Sequence, residues 1–352
     1  MKVLYITDNL DAHTGWGRYS LGVIDEMRRQ NIEVAVLTRT DLPKPQNILK
    51  FFKNCLRARQ VAKSFEIVHA LDVWPFAIYA WFAVLGTNKK LFINLVGTYS
   101  VAPLSHILKR ILIRNAFARS SRIFAISNYV ANLVQEKIKT DKIDTVYLGL
   151  TPLPVPSAHD LAWAKAKINM GNPILLTVGT VESRKGQKDV AEAVLSLKQK
   201  YPNILYVMAG VNADQGYLQD ILSFRRNHGL EKNILYLPDA DTDSRLVALY
   251  QVCDIFLLVS RKVSEHLEGF GLVMLEVAFF GKPVIGSSDS GVAEAMQDGY
   301  NGYAIKSGDP TKIVEAIEKI MQNNYEKFAN NSKEFASRFT WQRTISEYIK
   351  EY

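Results

Sequence analysis

Two cysteines, Cys55 and Cys253, are all that the 352-residue chain carries, far apart and without metal-type spacing. Their scarcity excludes a disulfide framework and a zinc ligand set and predicts a reducing, cytoplasmic setting. The six histidines are scattered with no pair four residues apart, so a site without metal is expected. Long apolar runs are missing too. The most apolar stretch, Trp74 to Gly86, is thirteen residues, too short to cross a bilayer, and reads as a core helix. The opening run Met1 to Ile6 reaches Asp8 before a signal-peptide core could form, so an unexported chain is expected.

Acidic residues are scarce in one half only. Up to Val155 there are 21 Lys+Arg against 11 Asp+Glu, and beyond it 22 against 24, so all the excess positive charge lies in the first half. Such asymmetry predicts an acidic partner there, nucleic acid or an anionic membrane surface. The chain has no RNP, zinc-finger or helix-turn-helix signature, and its aromatic residues are not interleaved with the basic runs, so no nucleic-acid partner is expected.

Short aliphatic or β-branched runs recur throughout. In the first half they are 3–7, 33–37, 67–69, 91–96, 123–126 and 145–148; in the second, 174–178, 204–209, 234–237, 255–259, 283–285 and 302–305. Most are continuously apolar, as strands covered on both faces are. Amphipathic stretches such as 17–29, 188–200 and 311–322 separate them. Strand alternating with helix, twice over, predicts two Rossmann-like, doubly wound α/β domains. Three prolines between Thr151 and Pro156 place the boundary there, giving domains 1–155 and 156–339. Ligands of such sheets sit beyond the carboxyl ends of the strands, so two domains facing each other would enclose a cleft.

The run Glu268-Gly-Phe-Gly-Leu-Val-Met-Leu-Glu276 sets two carboxylates eight positions apart, between an apolar strand and a second one beginning Lys282-Pro-Val-Ile. If 271–281 is helical, Glu276 projects from the helix and Glu268 sits in the loop before it. Strand, Gly-rich loop and helix N-terminus make an anion site, because N–H groups and the positive dipole end point outward. Hydroxyls at both ends and phosphates in the middle, the layout of a nucleotide-sugar, would suit it. The first loop of the second half, Val178-Gly-Thr-Val-Glu-Ser-Arg-Lys-Gly186, adds Arg184 and Lys185 where a helix begins, placed to neutralise a diphosphate.

Two tempting motifs fail. Gly15-Trp-Gly17 follows a strand, but Ser20 takes the place of the third glycine of a dinucleotide fingerprint and Thr38-Arg39, not an acid, ends the second strand. A looser glycine loop approaching phosphates remains. Asp239-Ala-Asp-Thr-Asp243 resembles a cation motif, yet it precedes a helical pattern from Ser244 and reads as a cap and acidic first turn.

The Glu268–Glu276 segment with Gly281-Lys-Pro-Val-Ile285, Ser290-Gly-Val-Ala-Glu294 and Asp298-Gly-Tyr-Asn-Gly302 resembles the retaining GT-B glycosyltransferases of group 1 (family 4). Weaker matches at Val96-Gly-Thr-Tyr99, Ala125-Ile-Ser-Asn128, Val178-Gly-Thr180, Lys185-Gly186 and Ala209-Gly210 extend it over nearly the whole chain. The resemblance implies transfer of a hexose from a UDP- or GDP-linked donor to a saccharide or lipid-linked acceptor, with no further cofactor. It implies that Glu276 binds the ribose, Glu268 orients the sugar, and the N–H groups of Phe270, Gly271 and Leu272 hold the diphosphate. It also implies that Lys185 and Arg184 offset the leaving charge, with Gly179 and Thr180 nearby, Gly210 near the base and Gly15 to Gly17 closing on the phosphate. Tyr99 and His106 fall on the acceptor side, and the last helix, read over 337–352, returns to the first domain with its 340–352 part. No protein nucleophile is required.

Three positions depart from the family pattern: Thr180 where Arg is frequent, Val96 where His is frequent, and a longer stretch, Arg261 to Leu267, before Glu268. Thr180 and Val96 leave a non-catalytic nucleotide-sugar-binding subunit as one rival reading; a GT-B sugar-nucleotide epimerase, which the Glu268–Glu276 segment fits poorly, is the other. Two basic stretches, 47–63 and 107–122, carry apolar residues on one face: Ile48, Phe52, Cys55 and Leu56 in one, Leu108, Ile111 and Leu112 in the other. They predict peripheral contact with the inner face of an anionic membrane.

Overall fold

A computed structural model describes residues 1–168, 171–240, 242–322 and 325–352. Two compact units make up the chain, Met1–Thr151 with Phe339–Tyr352, and Pro152–Arg338.

The first unit has six parallel strands, β1 (Lys2–Ile6), β2 (Glu33–Leu37), β3 (Ile67–Ala70), β4 (Lys90–Leu95), β5 (Arg122–Ala125) and β6 (Ile143–Thr145), in the order β2-β1-β3-β4-β5-β6. The second has β7 (Ile174–Val178), β8 (Leu205–Ala209), β9 (Ile234–Leu237), β10 (Ile255–Leu258), β11 (Val284–Ser287) and β12 (Gly302–Ile305), in the order β12-β11-β10-β7-β8-β9. Both are doubly wound, and each reverses direction at one point: between β1 and β3, and between β7 and β10. Loops on the two sides of such a reversal diverge and leave a crevice at the carboxyl edge.

The second unit's core is aliphatic, with Leu175, Val190, Val207, Leu257 and Ile285 fully or almost fully buried. The first unit is different. Its sheet face carries a cross-strand row, Tyr5, His69, Phe92 and Arg122, set by the pairings Tyr5–His69, His69–Phe92 and Phe92–Arg122. The helix Trp341–Glu351 lies on this row. Tyr352 reaches Tyr5 Oη at 2.9 Å, His69 Nδ1 at 2.5 Å and the Phe92 ring at 4.8 Å, while Arg122 Nε donates to Glu351 at 3.1 Å. One helical turn back, Tyr348 meets the next row at Asn94 (2.7 Å) and stacks on Phe124 (4.5 Å). The match is metrical: four helical residues rise ~6 Å and two strand residues advance ~6.6 Å. Gly22 makes the approach possible, since a Cβ there would lie 2.1 Å from the Trp341 ring.

Five expectations change in detail. The strand expected at 145–148 ends at Thr145. The following Val146 and Leu148 are buried, and the segment is held by Thr344 Oγ1, which donates to the Tyr147 carbonyl, and by Leu150 N, which donates to Phe339 O. The apolar run from Trp74 is no continuous helix: regular helix spans Ile78–Val84 only, after a turn containing Pro75. The segment 337–352 does not begin as one helix, because Thr340 caps a new one at Arg343 N. The helix after β9, Asp243–Val252, is capped by Thr242 rather than an aspartate, with Asp243 in its first turn; Asp241 lies outside the described residues. Finally, Cys55 is buried, so it does not share the exposed face of Ile48, Phe52 and Leu56.

Candidate active site

In the second unit β7 and β10 are neighbours, so the loops that follow them leave the sheet side by side at its reversal point. After β7, Gly179 is in the positive-φ region and a short turn, Ser183–Lys185, leads to the helix Gln187–Leu197. After β10, Gly271 adopts a φ of 85° and opens the helix Leu272–Phe279, a conformation that a side chain would strain. Glu276 therefore lies inside that helix and Glu268 in the loop before it, as the spacing predicts.

The two loops meet through charge. Arg184 Nη1 donates to Glu268 Oε2 at 2.7 Å and Lys185 Nζ to the same oxygen at 2.6 Å. Arg184 Nη2 also donates to Glu182 at 2.7 Å, and Thr180 Oγ1 to that carboxylate at 2.6 Å. Burial opposes ionisation of Glu268, but Lys185 and Arg184 outweigh it and hold its carboxyl below the ordinary range. Burial likewise works against the Arg184 charge, and Glu268 and Glu182 more than restore it. Two cations thus share two carboxylates, and the cluster is close to neutral.

The other residues lie around this cluster. Glu276 is buried and accepts from Tyr250 Oη at 2.9 Å. Phe270 is buried at 2% exposure and Leu272 is half-buried, both at the start of the helix, whose first N–H groups have no intrahelical acceptor. Gly210 directly follows β8 and crowds the Gly179 carbonyl, where a Cβ would stand 2.3 Å away, and its N–H donates to Leu237 O at 3.1 Å. The ends of β7, β8 and β9 are therefore in register beside the charged loops.

The long loop after β10 is folded on itself. Val263 and His266 exchange backbone hydrogen bonds of 3.0 Å around Ser264, which has a φ of 54°. Arg261 ties it down: its N–H donates to Arg184 O at 2.9 Å and its guanidinium pairs with Asp189. Sequence reasoning missed Tyr250, Glu182 and Asp189. Glu182 had a legible signal, lying two residues before Arg184 in the same turn.

In the first unit Gly15 starts the helix Gly15–Arg29, and the Gly17 N–H is already taken by the capping hydroxyl of Thr14 at 3.0 Å. Tyr99 is exposed, its ring 5.6 Å from that of Trp16. His106 is exposed and caps the helix Ile107–Arg119 without a side-chain hydrogen bond. Among the described residues no three His, Cys, Asp or Glu side chains are grouped so as to hold a metal ion.

A second feature of the first unit is an apolar platform. Ile48, Leu49, Phe52 and Leu56 of the helix Ile48–Ala62 and Ile107, Leu108 and Ile111 of the helix Ile107–Arg119 are all exposed. Trp74 joins the helices, stacked 6.2 Å from Phe51 and lying 5.0 Å beneath Lys109 Nζ. Lys50, Lys53 and Arg114 are exposed among these residues. Arg59 and Arg119 are not available, because each donates to backbone carbonyls of its own unit. No helix of the described residues is long and apolar enough to cross a membrane.

This arrangement, two doubly wound sheets with a charged reversal point, is that of the GT-B glycosyltransferases. The family model for glycosyl transferases group 1 matches residues 161–337, and that for Glycosyltransferase Family 4 matches 14–152. The chain belongs to the group 1 glycosyltransferases and is a glycosyltransferase enzyme. It is 27% identical over 292 residues to N-acetyl-alpha-D-glucosaminyl L-malate synthase of Bacillus anthracis, spanning 82% of this chain and 73% of that protein. It is 23% identical to D-inositol 3-phosphate glycosyltransferase of Mycolicibacterium smegmatis, over 60% of this chain but only 47% of that one. Anabaena Alr3699/HepE, solved in complex with UDP, shares the fold with a TM-score of 0.80 and 18% identity over 100% of both chains.

Proposed function

We propose that the chain transfers a hexose from a UDP- or GDP-linked sugar to a saccharide or lipid-linked acceptor, with retained anomeric configuration and no metal ion. The observation that carries this is the convergence of Arg184 and Lys185 on one oxygen of Glu268 at the reversal point of the second sheet. Breaking the sugar–phosphate bond leaves an oxocarbenium-like sugar and a nucleoside diphosphate. Cations and helix N–H groups stabilise that leaving group most when its charge has fully developed, which lowers the barrier. In this reading the diphosphate takes over Arg184, Lys185 and the N–H groups of Gly271 and Leu272, and Glu268 turns to the hydroxyls of the sugar. Glu276, held by Tyr250, receives the ribose. The acceptor hydroxyl attacks from the leaving-group face and passes its proton to the departing phosphate. That Anabaena protein was solved with UDP-glucose as well, which supports a donor of this class.

Incubation with a panel of UDP-, GDP- and ADP-sugars in the presence of a chelator tests the reading. Transfer or slow donor hydrolysis with retained configuration at the anomeric carbon is expected. Epimerised donor, inverted product, dependence on added metal, or binding without turnover would each overturn a stated part of it.

For the platform on the first unit we infer peripheral contact with an anionic bilayer at the cytoplasmic face, where a lipid-linked acceptor would be met. Apolar side chains would enter the headgroup boundary while Lys50, Lys53 and Arg114 pair with lipid phosphates. Cosedimentation with anionic liposomes at low salt is expected, with loss on Phe52→Ser combined with Leu108→Ser. No pelleting of the unmutated chain sinks this part alone.

A further inference from the structure

The loops after β7 and β10 leave the second sheet at its reversal point, and contacts at three levels join them. At the base the chains touch directly: Gly186, with a φ of 74°, lies against the Val259 carbonyl, where a Cβ would stand 2.4 Å away. At the tip Arg184 and Lys185 both donate to one oxygen of Glu268. Between the two stands Arg261, which opens the long stretch before Glu268. Its N–H donates to Arg184 O at 2.9 Å, and its guanidinium pairs with Asp189, in the first turn of the helix Gln187–Leu197. Asp189 is buried, so water and salt screen this pair little.

In the proposed reaction the diphosphate takes Arg184 and Lys185 and Glu268 turns to the sugar, so the tip contact is given up. The Arg261 contact uses neither of those cationic side chains. It holds Arg184 by its main-chain carbonyl and reaches past Lys185 to the helix beyond. The far end of the long stretch is fixed as well, from the turn after β11. Gly291 N donates to Glu268 O at 3.1 Å, and a Cβ on Gly291 would stand 2.0 Å from Gly269 O. Between these anchors the chain closes on itself through Val263 and His266. The backbone that carries Glu268 is thus held from both sides without help from its own carboxylate.

We propose that Arg261, through Asp189, is a positioning residue that keeps the two loops joined while the donor occupies their tip, so that Glu268 meets the sugar from a fixed backbone. This rests on the reading of the second unit's charged edge as the donor site. Placement matters there, because a displacement of about 1 Å at a reacting centre can cost about 10²-fold in rate. Arginine suits the role better than lysine, since its planar fork fixes the geometry of a carboxylate pair.

Arg261→Met combined with Asp189→Asn removes the pair without leaving an unpaired buried charge. Steady-state kinetics of the full chain with a UDP- or GDP-sugar should show kcat lowered by about 10–10²-fold, with donor KM and UDP or GDP affinity within about twofold. Arg261→Lys, which keeps the charge, should fall between the two. Unchanged kcat, or a fall in kcat matched by an equal loss of nucleotide affinity, overturns the assignment. Hydrogen–deuterium exchange over residues 259–268 gives a readout that needs no turnover. In Glu268→Ala, which opens the tip contact, this stretch should stay protected, and adding the Arg261 and Asp189 substitutions should speed its exchange by about tenfold. Equally fast exchange with and without the pair also overturns it. Protection that depends on the pair, together with no transfer by the unmutated chain from any nucleotide-sugar, would count against the proposed activity alone.

Discussion

The two units share six parallel strands and a reversal point, yet they spend their polar residues differently. The second keeps a mainly aliphatic interior, with a buried Tyr206–Thr177 hydrogen bond, and concentrates charge at its carboxyl edge, in Arg184, Lys185, Glu182 and Glu268. The first buries a neutral hydrogen-bonded chain across its sheet face and sets aromatic rings, Trp16 beside Tyr99, at its edge. In that chain Asn94 Oδ1 accepts from His69 Nε2 at 2.6 Å, which leaves Nδ1 to accept from Tyr352, while Asn94 Nδ2 donates to Tyr19 and Tyr348. One architecture thus supports a charged edge in one unit and an aromatic edge in the other. The strand order does not decide which; the side chains in the loops after the strands do.

The sharpest way to break the contrast is to remove the helix that only the first unit borrows. Trp341→Ala deletes a ring at 6% exposure and should cost roughly 3–5 kcal/mol, lowering the urea midpoint of the first unit while that of the second stays put. One shared transition would refute that independence. Next, Lys185→Ala should lower kcat by about 10²–10³-fold with little change in thermal midpoint, the mirror image of the first outcome. A comparable fall in stability would make Lys185 structural instead.

Acid should also separate the units. Burial pushes the His69 imidazole down to about 3, against its hydrogen bond to Asn94, so below about 6.5 the unfolded chain takes up a proton that the folded one refuses. Stability of the first unit should therefore fall as pH drops from 6.5 towards 3, by about 2 kcal/mol at pH 5, and His69→Gln should remove that slope. An unchanged slope in the variant would place the proton uptake elsewhere. The smallest effect is expected from Tyr250→Phe. Loss of its bond to Glu276 should weaken nucleotide binding by about 0.5–1.5 kcal/mol, read as a rise in donor KM at constant kcat.

Much of this was legible in the chain. Aliphatic runs such as Ile255 to Val259 announce covered parallel strands, and the spacing from Glu268 to Glu276 sets loop against helix because eight residues span two turns. What the sequence did not carry is pairing across distance. Nothing in the run around Arg184 says that its partner is 84 positions away, since that depends on β7 and β10 becoming neighbours. Strand ends suffered for a similar reason: Val146 and Leu148 are buried although the strand stops at Thr145, in a segment whose backbone is tied at Tyr147 and Leu150 to Thr344 and Phe339. The Pro75 break in the run from Trp74 could have been read from the proline alone.

The second unit occupies one unbroken stretch, 152–338, whereas the first is assembled from two, and Leu150 N meets Phe339 O where the chain leaves and returns. On a ribosome this sets an order. The second unit is fully synthesised before the residues that cover Tyr5, His69 and Asn94 have emerged, so the half begun first is completed last. Until Tyr348 and Tyr352 arrive, that sheet face offers its polar groups to water or to a chaperone. A chain cut off after residue 338 would therefore carry all of the second unit and a first unit still lacking its cover.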